Sequence, residues 1–108
     1  MKKYFIELRR VTEFMRTQPE AVQDEYKDIV RSLELHGYLS MPTGEKVDSR
    51  LFAIRIIQAG NIRVFYVYGR GNTIYGIHGY VKKTQQIPAK EKMIAEKIVK
   101  ILRKEAFI

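Results

Sequence analysis

Cysteine is absent from this 108-residue chain, and histidine occurs only twice. Disulfides and thiolate metal sites are therefore excluded, and two histidines without cysteine argue against a zinc site. The absence of cysteine also fits a reducing compartment. No apolar run approaches the ~20 residues that a membrane span requires. The opening residues, MKKYFIELRR, put charges inside any candidate apolar core of a signal peptide. A cytoplasmic location is the default expectation. There is no P-loop and no HExxH. GRGNTIYG (69–76) does not follow a dinucleotide-binding pattern, because its glycines serve a hairpin and no helix follows. Acidic residues are also in deficit: 12 Asp and Glu face 20 Lys and Arg, for a net charge of +8. That sign points to an anionic partner, either nucleic acid or an acidic protein.

What is present fits one domain spanning 1–108, with enough apolar residues for a single core. Residues 3–8 (KYFIEL) read as a strand. Thr12 is placed to cap a short helix, TEFMRTQ, and Pro19 suits the first turn of a second. In that second helix Val22, Tyr26, Ile29, Val30 and Leu33 form one stripe at helical period, closed by Gly37. Residues 38–50 show no periodicity and read as a loop, long enough to leave room for a functional role. LFAIRII (51–57), NIRVFYVY (61–68) and TIYGIHGYVKK (73–83) read as three strands joined by two hairpins. Pro88 opens a last helix whose apolar face carries Ile94, Ile98, Ile101 and Leu102. The order β-α-α-β-β-β-α implies an α+β fold, with helices on one face of a mostly antiparallel sheet.

The chemistry concentrates in the strands. With residues 58–60 as the hairpin connection, Ile57 pairs with Asn61 and Arg55 falls opposite Arg63. Like charges directly opposite are destabilising. Either the register differs, or both stems reach to solvent, or the pair forms an anion site suited to the planar forks of arginine. With residues 69–72 as the second loop, Arg63 opposes His78, and Tyr80 and Lys82 follow His78 on the same face. A one-residue slip would scatter this group. His78 reads equally as a packing or a catalytic histidine. Lys82 and Lys83 point to opposite faces if the strand stays regular. Tyr66, Tyr68, Tyr75 and Tyr80 interleave with the cations, an arrangement that suits unstacked RNA bases as well as simple sheet packing. The lysines of the last helix read first as a solvated face and second as a nucleic-acid footprint.

The ordered set LFAIR (51–55), RVFY (63–66), HGYVKKT (78–84) and PAKE (88–91) resembles the RelE/HigB superfamily of type II toxin–antitoxin toxins, and most closely its phage-derived HigB-like branch. With the preceding helix pair, the resemblance covers nearly the whole chain. It implies a RelE-like fold with an N-terminal helix hairpin and a C-terminal helix. It also implies a metal-independent endoribonuclease without cofactor that cuts mRNA on the ribosome, neutralised by an antitoxin of helix-turn-helix type. In such enzymes the ribose 2′-hydroxyl attacks the adjacent phosphate, which calls for a base, an acid and cations. By resemblance Arg63 and Lys83 stabilise the phosphate, while Arg55 and Lys82 serve binding or proton transfer. His78 joins them as a catalytic candidate, and Tyr66, Tyr68 and Tyr80 as RNA contacts. The tyrosine that RelE carries near its C-terminus falls at Ala89, so Tyr66 or Tyr80 would have to substitute. The C-terminal His-Tyr pair of the YoeB branch is missing too, because the chain ends EAFI. Glu7 and Glu45 are the carboxylates outside the helical segments to test as base, and the acid/base assignment stays open. Two other readings remain: a ParE-like toxin acting on DNA gyrase, and a non-catalytic RNA-binding or phage accessory protein.

Overall fold

The run Ile62–Tyr68 is apolar at nearly every position rather than at alternate ones, as expected of a strand covered on both faces. The computed structural model, which describes residues 2–108, has that arrangement. The elements are β1 (Tyr4–Glu7), α1 (Arg9–Arg16), α2 (Glu20–His36), β2 (Gly44–Lys46), β3 (Phe52–Ile56), β4 (Ile62–Tyr68), β5 (Thr73–Val81) and α3 (Ala89–Lys104). The sheet order is β1-β5-β4-β3-β2. β1 runs parallel to β5 and the other pairs are antiparallel.

The fold is α+β, as expected, but its helices lie on both faces of the sheet. Val11 and Met15 of α1 and Val22, Tyr26, Ile29 and Leu33 of α2 pack on Ile54, Ile56, Ile62, Val64 and Tyr66. Ala95 and Leu102 of α3 pack on the opposite face, against Leu51, Ala53, Phe65, Val67 and Ile77. The expectation of one covered face fails because β4 supplies apolar side chains in both directions, and each set needs a cover.

Local signals explain most of the boundaries. Gly37 closes α2 with φ 82°, a left-handed conformation that costs glycine little, and its N–H donates to Leu33 O at 2.8 Å. Pro19 stands at the cap of α2, one residue before the helix proper. Thr12 does not cap α1, which starts at Arg9. Its hydroxyl instead donates to Glu7 Oε1 at 2.7 Å. The segment 38–50 also hides β2, three residues too short to show a period, defined by pairing Glu45 with Ala53 and Gly44 with Ile54.

Register decides which side chains meet. β3 and β4 pair as expected, with Arg55 opposite Arg63. The β4–β5 hairpin differs: Tyr68 pairs with Ile74, and Arg63 opposes Tyr80 instead of His78. The turn is one residue longer than expected, which by itself would turn His78 and Tyr80 to the other face. A bulge then corrects the parity. Tyr66 pairs with Gly76 but Phe65 with His78, leaving Ile77 as the extra residue. His78 and Tyr80 therefore return to the face of Arg55 and Arg63.

Gly79, between them, faces α1. A Cβ there would lie 2.6 Å from Phe14 Cδ2, so the missing side chain sets how closely α1 approaches the sheet. Gly79→Ala is expected to destabilise the protein by about 1–3 kcal/mol through overpacking, read as a lower urea midpoint. Adding Phe14→Leu should recover part of the loss, because the two residues share one contact.

Candidate nucleic-acid interface

One end of the sheet carries the cations. Arg55 on β3, Arg63 on β4 and Tyr80 on β5 stand in one row across the strands, and Lys82 and Lys83 follow where β5 ends at Val81. With Asn61, Thr84 and Gln85, Arg55, Arg63, Lys82 and Lys83 line an open groove of about 450 Å³. Several contacts hold it in shape. Asn61 Nδ2 donates to Lys82 O at 2.6 Å, and Lys82 N donates to Asn61 O at 2.8 Å. Arg63 Nη1 donates to Ile62 O at 3.1 Å and to Asn61 Oδ1 at 3.3 Å. Arg55 Nη1 donates to Pro42 O at 3.0 Å. The β3–β4 loop is pinned by Glu25 of α2, whose carboxylate accepts the N–H groups of Ile57, Gln58 and Ala59.

The electrostatics are strained in one direction. Burial pulls the Arg63 pKa down, and the facing Arg55 pulls it further, against Glu45 and Tyr80. Lys82 is lowered by desolvation and then by Arg63, with Glu45 opposing. Burial pushes the Tyr80 hydroxyl up to about 12 although Arg63 pulls the other way. Arg63 is only 4% exposed and Tyr80 5%. Among the described residues, four buried side-chain polar atoms lack a hydrogen-bond partner within the chain: Arg55 Nε, Arg63 Nε, Tyr80 Oη and Glu45 Oε1. Buried polar atoms are rarely left unpaired, because each costs about 1–3 kcal/mol. Three of the four can donate, and all four belong to the sheet face behind the groove.

The other candidates separate by position. Lys82 and Lys83 both line the groove, since β5 has ended and strict alternation no longer applies. Lys82 is the partly buried one, and Lys83 is exposed at the rim. His78 lies behind them, its Nε2 2.7 Å from Glu91 Oε1 and its ring stacked on Phe65 and Tyr80. It is a packing histidine in this arrangement, and Glu91 fixes its ring. Tyr66 and Tyr68 do not reach the basic face. Tyr66 is 1% exposed beneath α1 and α2, and Tyr68 donates its hydroxyl to Gly37 O at 2.9 Å. Strand parity turns both away from Arg63. Tyr75 packs against Phe107. Glu7 is occupied on the helix-pair face, where Thr12 and Tyr26 donate to its two oxygens at 2.7 and 2.6 Å. Burial first, and then Glu7, drives the Tyr26 hydroxyl pKa far up. A larger groove of about 540 Å³ lies beside it, but its Glu7, Tyr26 and Glu34 already have partners. The C-terminal tail sits at the far end of the sheet, where Arg70 N donates to Phe107 O at 3.0 Å.

Asn61 was not among the site residues expected from the sequence, where it reads as the first residue of the strand 61–68. Its one signal is its place at the start of the strand that carries Arg63. Glu45 was visible only as a carboxylate in a loop.

A family model described as phage-derived protein Gp49-like matches residues 13–100. No curated protein matches the chain.

The site makes a stability prediction. Arg55→Met should raise the thermal midpoint by the equivalent of up to about 1 kcal/mol, because it removes a like-charge pair from a ladder. Inorganic phosphate at ten times its Kd should stabilise the wild-type protein by about 1.4 kcal/mol, and Arg63→Met should lose most of that shift in the same melting assay.

Proposed function

The chain belongs to the Gp49-like family of phage-derived proteins, a family of toxin–antitoxin toxins, and from that premise we propose that it cleaves messenger RNA on the ribosome. The observation that carries the reading is the set of three buried donors, on Arg55, Arg63 and Tyr80, that lack acceptors behind a groove lined by two arginines and two lysines. A phosphodiester supplies the acceptor oxygens that such a set lacks. The proposed reaction is attack of a ribose 2′-hydroxyl on the adjacent phosphate, without a metal ion, giving a 2′,3′-cyclic phosphate and a 5′-hydroxyl.

Arg63 and Arg55 hold the phosphoryl oxygens, where charge builds in the transition state. Lys82, drawn in with them, adds a third cation, and exposed Lys83 takes a neighbouring phosphate. Tyr80 fills the role left open at Ala89. Its raised pKa keeps the hydroxyl protonated, as a donor to the departing 5′-oxygen must be. His78 acts through Tyr80 by holding its ring. The groove lining has no open aromatic face on which a base would stack. Grip on phosphates alone is weak and falls with salt, which supports a message presented by the ribosome rather than free RNA. The toxin–antitoxin family also implies an antitoxin partner. A surplus of eight positive charges favours an acidic surface on that partner.

Induction of the wild-type protein should arrest translation and leave message 5′ ends inside coding sequence. Arg63→Ala should slow cleavage by about a hundredfold or more, measured by mapping those ends over time. Intact messages together with a DNA-damage response would overturn the reading in favour of a gyrase-directed toxin.

A further inference from the structure

Glu45 differs from the other three unpartnered groups. Arg55 Nε, Arg63 Nε and Tyr80 Oη each have a proton to give, whereas Glu45 Oε1 is an acceptor that receives none. Its charge acts on Arg63, Tyr80 and Lys82, so the carboxylate belongs to the same cluster. A phosphate satisfies the three donors and offers Glu45 nothing. In nucleic acid, the donor beside a phosphate is the ribose 2′-hydroxyl, which DNA lacks.

Resting on the reading of the groove as a phosphodiester site, we propose that Glu45 recognises the ribose 2′-hydroxyl and takes its proton, so that this residue restricts the groove to RNA. The register supports the assignment. Glu45 on β2 pairs with Ala53, so it stands on the same face of the sheet as Arg55, Arg63 and Tyr80, one step along the strands from their row. In-line displacement puts the attacking and leaving oxygens on opposite sides of phosphorus, with cations on the oxygens between them. That face supplies a proton acceptor in Glu45, two guanidinium groups in Arg55 and Arg63 and a proton donor in Tyr80. In the step itself the 2′-oxygen forms a bond to phosphorus as its proton passes to Glu45. The bond from phosphorus to the 5′-oxygen breaks, its electron pair leaves on that oxygen, and Tyr80 donates the proton that neutralises it. Solvent then carries the proton on Glu45 back to Tyr80.

Two variants separate recognition from proton transfer. Glu45→Gln keeps an acceptor for the hydroxyl but is a far poorer base, while Glu45→Ala loses both functions. Cleavage of ribosome-bound message is followed under single turnover. In parallel, binding is measured for one short single-stranded oligonucleotide made as RNA and as DNA. The glutamine variant should cut about 10²–10⁴-fold more slowly with message binding unchanged. Wild-type and glutamine proteins should both prefer RNA over DNA by roughly tenfold or more, and the alanine variant should lose that preference. Melting curves check that each variant is folded; if the alanine variant is not, Glu45→Gln cleavage decides. A glutamine variant that cuts at the wild-type rate, or a folded alanine variant that still prefers RNA, overturns the assignment. If the wild-type protein cuts no message, the endonuclease reading falls. A Glu45-dependent preference for RNA would then still uphold the recognition half of the inference, and its absence would remove that too.

Discussion

Two arginines facing each other across paired strands are the constraint on which the rest depends. Arg55 and Arg63 are direct partners in the β3–β4 ladder, and Arg63 is almost wholly enclosed. Such an arrangement opposes folding through repulsion and desolvation together. It persists because the surrounding structure is over-determined. Apolar residues bury β4 from both faces, and the hairpin loop is clamped by three backbone donors on Glu25. The energy spent there is stability given up for a site, a common pattern where function needs unsatisfied charge.

That clamp also links the two halves of the core. α2 packs on the side of the sheet away from the groove, yet its Glu25 reaches round the end of β3 to hold the loop between the two arginines. α3 contributes from the other side. Glu91, in its first turn, fixes His78, whose ring stacks on Tyr80. Each helix therefore steadies a different member of the row, and neither places a side chain in the groove lining. Sites carried on strands and braced by packed helices hold their geometry better than sites on loops.

The bulge in β5 shows how narrowly the row is assembled. A hairpin turn longer by one residue moves every following side chain to the opposite face, and one extra residue at Ile77 moves them back. The glycine that follows His78 lets α1 lie close against the strand without disturbing the two residues that flank it. The motif HGYVKK (78–83) thus combines a braced histidine, a glycine for helix approach, a hydroxyl in the row and two cations at the strand exit.

The element order, the helix stripe from Val22 to Leu33, the pairing of Arg55 with Arg63 and the basic character of the site were all legible in the sequence. These rest on short-range rules: the helical period, the length of a hairpin loop and the count of charges. Other features were settled only by tertiary structure. Three residues of β2 carry no period of their own, so Glu45 was a loop carboxylate until pairing with Ala53 set it on the site's face. Tyr66 and Tyr68 looked like Tyr80 in composition, and the ladder sent them to the opposite side. The partner of Arg63 changed from His78 to Tyr80 through a turn and a bulge whose effects on parity cancel. Local sequence determined which residues this protein has to offer an anion. Pairing between distant strands, which no local pattern encodes, decided which of them stand together.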